Sequence, residues 1–189
     1  LFAIGQPPTG VKDPFASRRA SLGVLRTIIE NKLTLDLAEL VNVALASFKE
    51  ITSEQEAAEQ VLTYLFERIR GYAAEQGYGN AIFESVLAVK PSRPLDFMNR
   101  LGAVAAFEKL EQAESLAAAN KRIANILRKN DSDEAAVELN ASLLTEEAEK
   151  VLTDKLLVVE IELQPLFAEG DYTAVLTVLA DMREAVDCF

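Results

Sequence analysis

Leu116-Ala117-Ala118-Ala119-Asn120-Lys121-Arg122-Ile123-Ala124-Asn125-Ile126-Leu127-Arg128-Lys129 sorts its side chains by type at the period of an α-helix. At 100° per residue, Leu116, Ala119, Ile123, Ile126 and Leu127 share one face, and Lys121, Arg122, Asn125, Arg128 and Lys129 share the other. No stretch of the chain shows sustained period-2 alternation, so the expected class is all-α, a bundle of roughly 6–8 helices.

Working outward, helix starts and stops can be read on both sides. Residues 1–12, with Pro7, Pro8 and two glycines, read as an extended linker, and residues 13–189 as the helical region. Asp13-Pro14 supplies an N-cap and a first-turn proline for a helix reaching about Asn31. Leu35 to Phe48 is a second periodic stretch. Ser53-Glu54-Gln55-Glu56 is a capping box opening a helix that Gly77 stops after Gln76. A short helix covers 80–89, and Pro91-Ser92-Arg93-Pro94 breaks the chain where two subdomains are expected to meet, near 90–94. Helical pattern returns over 95–129 with a joint near Gln112. After the polar loop 130–133 another helix runs from Thr145 to Ala168, with Pro165 kinking its last turn. Gly170-Asp171 pairs a stop with a start, and the last helix runs to the end. The chain begins without Met and stops at Val186-Asp187-Cys188-Phe189 inside a helical pattern. A piece of a longer protein, truncated at its C-terminus, is expected.

Charge is unevenly distributed. The net charge is −11, yet residues 131–189 hold 15 acidic and 3 basic side chains, while residues 1–130 hold 15 acidic and 16 basic. Acidity confined to the last third leaves room for an RNA-binding face elsewhere, and equally describes a solvated acidic tail. From Ser115 to Asn130 there is no acidic residue. Four like charges on that helical face repel, so the neutralising partner is RNA phosphate or the acidic third. The helix dipole offers a local account for Arg128 and Lys129, less so for Lys121 and Arg122.

Catalytic classes are narrowed by what is missing. With no His, neither a Ser-His-Asp nor a Cys-His arrangement nor a histidine metal site can be built. One cysteine forms no thiolate cage and no internal disulfide, which fits a reducing cytosol; Cys188 reads as a small core residue. The eight glycines form no phosphate-cradling run. No run of about 18 apolar residues is present, so no membrane partner is expected. An autonomous enzyme is not expected.

On residues 15–29, Phe15, Leu22, Leu25 and Ile29 form an apolar arc, and Ala16, Ala20, Gly23 and Thr27 a small-residue stripe suited to a neighbouring helix. Arg18 falls inside the arc. It reads as a structural ion-pair partner, or else it meets phosphate. Arg19 and Arg26 lie one above the other at the arc's edge and are candidate RNA contacts. Lys90 and Arg93 sit on the proline loop, either in a structural turn or against RNA. Tyr72 and Tyr78 are core aromatics or base-stacking platforms.

Several segments in one order carry a resemblance. They are Leu1-Phe2-Ala3-Ile4-Gly5-Gln6-Pro7-Pro8-Thr9-Gly10, Lys12-Asp13-Pro14-Phe15-Ala16-Ser17-Arg18-Arg19-Ala20, Val89-Lys90-Pro91-Ser92-Arg93-Pro94-Leu95-Asp96-Phe97, Ala119 to Leu127, and Phe167-Ala168-Glu169-Gly170-Asp171-Tyr172. Together they resemble the bacterial-type glycyl-tRNA synthetase β subunit, C-terminal region. Phe15-Ala16-Ser17-Arg18 looks like that family's version of the DALR signature of a helical anticodon-binding domain, with Ser17 where Leu is usual. The resemblance implies a DALR-type all-α module of a cytoplasmic, heteromeric glycine–tRNA ligase, with glycine-specific tRNA and the synthetase α subunit as partners and no DNA or membrane. It implies no cofactor here, with ATP and Mg²⁺ held by the α subunit. The RNA-binding candidates are then Lys121, Arg122, Asn125, Arg128, Lys129, Arg19, Arg26, Lys90 and Arg93, with Arg18 structural and no catalytic or metal residue. The rival is a helical scaffold or subunit-interaction segment of the same enzyme that does not touch RNA.

Overall fold

A computed structural model describes residues 1–4, 7–8, 15–48, 54–129 and 143–188. Among these the regular elements are helical: a 3₁₀ turn at Phe2–Ile4, then α1 (Ser17–Glu30), α2 (Leu37–Leu45), α3 (Glu54–Glu75), α4 (Asn80–Leu87), α5 (Pro94–Phe107), α6 (Ala113–Lys129), α7 (Glu147–Glu169), α8 (Tyr172–Ala180) and α9 (Arg183–Cys188). The all-α expectation holds. The stretch 95–129 is two helices, α5 and α6, with the turn at 108–112 falling where the apolar face falters at Gln112. The last helix is also two, because Asp181 and Met182 turn between α8 and α9. The expected caps at Asp13 and Ser53 lie outside the described residues.

The chain forms two compact units that divide between Leu101 and Gly102, inside α5. In the first, α1 and α2 pack on α3. The buried residues recur at helical spacing: Leu25 and Ile28; Leu37, Val41 and Leu45; Leu65, Ile69, Tyr72 and Ala73. Phe97, fully buried, meets the rings of Phe83 at 5.0 Å and Phe66 at 5.8 Å. The Arg70 guanidinium lies 4.4 Å over Phe83 and bonds both Asn80 and Glu84 at 2.6 Å, covering that aromatic group from outside. In the second unit α7 packs on α8 and α9, and α6 on α9, around Val159, Val175, Ala180, Met182 and Ala185.

Helix ends explain most of the turns. α3 and α7 stop at Gly77 (φ 90°) and Gly170 (φ 72°). Tyr78 N–H donates to the Ala73 carbonyl at 3.0 Å and Asp171 N–H to Leu166 at 2.9 Å, the six-to-one bond of a Schellman end. α1 ends in the same way without glycine: Lys32 takes φ 54° and Leu33 N–H donates to Ile28 at 2.9 Å. α7 opens with a capping box in which Glu146 caps and Glu149 reaches back to the Glu146 N–H at 2.9 Å. α7 continues through Pro165 to Glu169.

Two expectations for the first helix are corrected. It begins at Ser17, because Ala16 is left-handed (φ 54°) and turns the chain, so Phe15 lies off the helix and is 71% exposed. The stripe Ala20, Gly23 and Thr27 is exposed, opposite the buried Leu25 and Ile28, and among the described residues it receives no neighbouring helix. Cys188 is exposed and not a core residue.

The Pro91–Pro94 loop lies inside the first unit, clamped to the start of α2. Leu37 N–H donates to the Ser92 carbonyl at 3.0 Å, and the Ser92 hydroxyl donates to Asp36. Asp36 is the α2 N-cap, accepting from Ala38 at 2.8 Å and Glu39 at 3.2 Å. The Ser92 hydroxyl first, and these amides next, hold the Asp36 carboxyl below its ordinary range. A carboxyl lowered on folding contributes stability above its unfolded pKa, near about 4, and loses it as pH falls through the folded value. Asp36→Ala should therefore cost about 1–2 kcal/mol at pH 7 in urea denaturation, with the gap to the parent narrowing below about pH 4. An equal gap at pH 7 and pH 3 would show that the carboxylate charge contributes nothing.

Candidate nucleic-acid interface

α6 gathers five of the sequence candidates on one face. Its first turn carries Glu114 and its last Arg128 and Lys129, each sign matching the helix dipole. Lys121, Arg122, Arg128 and Lys129 are exposed, Asn125 is half-buried, and Ala119 on the other side is buried. Arg128 Nη2 donates to Asn125 Oδ1 at 2.9 Å, so two of the candidates are coupled. Ala118, Lys121, Arg122, Asn125 and Lys129 line an open depression of about 360 Å³. Ala118, exposed, was not singled out from sequence. Among the described residues no carboxylate pairs with any of the four cations. The face therefore presents four cations that no described carboxylate neutralises, and a carboxamide, chemistry suited to a chain of phosphates.

The other candidates belong to the first unit. Arg19 is exposed on α1. Arg26 is drawn into its own surroundings, bonding Glu30 at 2.9 Å one turn on and lying 5.8 Å over the ring of buried Tyr72. The Glu30 carboxylate, through its hydrogen bond and then its charge, raises the Arg26 pKa further above its ordinary value. Arg18 is half-buried on the face that carries Leu25. Lys90 is exposed and left-handed (φ 52°), at the edge of a groove lined by Leu62, Phe66, Phe83 and Leu87. Arg93 is exposed beside the Asp36 clamp. Tyr72 is a core aromatic, 7% exposed, and Tyr78 is half-buried.

Among the described residues no three His, Cys, Asp or Glu side chains are grouped to hold a metal. No helix among them is long and apolar enough to cross a membrane.

Residues 1–88 match the family model described as glycyl-tRNA synthetase beta subunit, and residues 116–189 match the DALR anticodon binding domain. Over all 189 residues the chain is 49% identical to the glycine–tRNA ligase beta subunit of Pseudomonas aeruginosa. The chain belongs to the glycyl-tRNA synthetase β subunit family. Glycine–tRNA ligase beta subunits of Shewanella baltica and Haemophilus influenzae are 48% and 46% identical over the same span. In each comparison the whole chain is covered, whereas the match spans 28% of the Pseudomonas protein and 27% of the other two.

The DALR match does not include the tetrapeptide that resembled its signature. Phe15–Arg18, expected as the DALR signature, lies within residues 1–88, where Phe15 and Ala16 form a turn rather than a helix. The anticodon-binding domain match begins at Leu116 and takes in α6 from that residue together with α7, α8 and α9. Arg19 and Arg26 fall in the other match, and Lys90 and Arg93 fall between the two.

Proposed function

We propose that this chain binds glycine-specific tRNA as part of a glycine–tRNA ligase, with the α6 face as its main phosphate contact. The observation that carries the reading is the group Lys121, Arg122, Arg128 and Lys129, exposed and paired with no described carboxylate, on the first helix of the DALR-matched residues. Lys and Arg neutralise phosphates and fix register, while Asn125, held by Arg128, is available to an unpaired base edge. Arg19, Arg26, Lys90 and Arg93 are secondary contacts in this reading. Arg18, half-buried, is structural. ATP, glycine and Mg²⁺ belong to a separate α subunit, and the enzyme works in the cytoplasm. The residues described here do not fit those ligands: there is no acidic metal group and no glycine-rich phosphate turn.

Titration of the chain with glycine tRNA, followed by fluorescence anisotropy, tests the proposal. Saturable binding is expected, weakened when the anticodon loop is replaced, together with no glycine-dependent pyrophosphate exchange by the chain alone. Indifference to the anticodon loop would leave only general phosphate affinity. Absence of RNA binding would favour a scaffold role.

A further inference from the structure

Asn125 stands at the centre of the α6 face. Its helical neighbours at i−4, i−3, i+3 and i+4 are Lys121, Arg122, Arg128 and Lys129, all cations. The four cations are exposed, whereas Asn125 is half-buried, which restricts the positions its short side chain can take. Arg128 Nη2 lies 2.9 Å from the carboxamide and restricts it further. A guanidinium has donors and no acceptor, so the carboxamide atom it meets is the oxygen. Oxygen and nitrogen diverge from the carboxamide carbon, so the amino group turns away from Arg128. Among the described residues Asn125 lines the depression of the face and Arg128 does not, so the amino group is the end of the carboxamide turned toward it.

The polar side chains along that depression are then all N–H donors: Lys121, Arg122, Lys129 and the amino group of Asn125. A donor-only lining receives groups rich in acceptors. Phosphate is one such group and carries no sequence. Among Watson–Crick base edges, only that of cytosine sets two acceptors side by side, N3 and O2. Uracil places its N3–H donor between two carbonyls, adenine sets an amino group beside N1, and guanine presents two donors. Glycine codons begin with two guanines, so the tRNA that reads them carries two adjacent cytosines in its anticodon. We propose that Asn125 is a specificity-determining residue, donating its amino group to the N3/O2 edge of an anticodon cytosine. Arg128 is its positioning residue, holding the carboxamide with the amino group outward. This rests on the α6 face meeting tRNA, and adds which base edge is read and what sets the reader.

The test is anisotropy of labelled glycine tRNA with the intact β subunit that carries these residues. Beside it stand two transcripts in which one or the other anticodon cytosine is replaced by uridine. The quantity read is the ratio of affinities, cytosine over uridine, because a lost phosphate contact weakens all three RNAs alike and cancels. For the parent, uridine at one of the two positions should weaken binding about tenfold, since N–H then faces N–H. Asn125→Asp keeps the shape, replaces the donor by an acceptor, and should bring that ratio to about one. Arg128→Met frees the carboxamide and should cut the ratio at least about threefold, whereas Arg128→Lys keeps a donor and should restore it. If Asn125→Asp lowers affinity with the ratio intact, Asn125 serves phosphate alone, and the proposal falls while the tRNA-binding reading stands. A parent that binds all three RNAs equally would overturn it in the same way. A ratio unchanged in Arg128→Met would remove the positioning role. A parent that binds no glycine tRNA would overturn both readings.

Discussion

Phe97→Ala is expected to destabilise the first unit by about 3–5 kcal/mol, the range for a fully buried aromatic truncated to a methyl. Phe97 has no exposed surface, and its neighbours cannot follow the loss easily. Phe83 is fixed from outside by the Arg70 guanidinium, itself held by Asn80 and Glu84. Phe66, on α3, follows buried Leu65 and is one turn from buried Ile69. The cavity should therefore stay open, placing the cost near the top of the range. Urea denaturation should show the midpoint of the first unit's transition fall with little change in slope. Val43→Ala, at a side chain 73% exposed, is the control and should move stability by less than about 0.5 kcal/mol. A loss below about 1 kcal/mol for Phe97→Ala would mean that the aromatic group repacks.

The core was partly legible because it obeys helical spacing. Leu22, Leu25 and Ile29 mark the correct side of α1, and the glycine stops at 77 and 170 mark two helix ends where only a left-handed residue closes the bonds. Lys32 and Lys90 adopt that conformation without being glycine, and the ends expected there, about Asn31 and 89, still fall within two residues of those observed, at Glu30 and Leu87. Ala16 marks a failure at a helix start: the Asp13-Pro14 signal was available, yet the chain turns at Ala16 before α1 begins. Asp36 had a readable signal, an Asp before Leu37 with Glu39 three residues on, and its bond to Ser92 is a contact across 56 positions that no local pattern encodes. α7 was recognised as a helix, whereas which of its apolar side chains are buried was not, since Leu156–Leu163 is apolar but for Glu160 and Glu162 and marks no single face. Exposure separates them.

On α6 the spacing alone brought Lys121, Arg122, Asn125, Arg128 and Lys129 together, because one helix carries all five. If the four cations meet phosphate, tRNA binding should fall with salt with a log–log slope of about −2.8 to −3.6, at about −0.7 to −0.9 per phosphate from released counterions. Replacing Lys121 and Arg122 together with Gln removes two of those contacts. The slope should become shallower by about 1.4–1.8, and affinity at 0.1 M salt should drop roughly thirtyfold on the same counterion relation. Folding should be unaffected within about 0.5 kcal/mol, because both side chains are exposed and neither pairs with a described carboxylate. Preference among anticodon variants should persist, since phosphate contacts position the RNA without reading it. Asn125→Ala should do the reverse, changing that preference while leaving the slope in place. The measurement is anisotropy of labelled glycine tRNA at four or more salt concentrations, parent beside each variant. If the Lys121→Gln/Arg122→Gln protein keeps both slope and affinity, the α6 face neutralises carboxylates of protein and not phosphates of RNA.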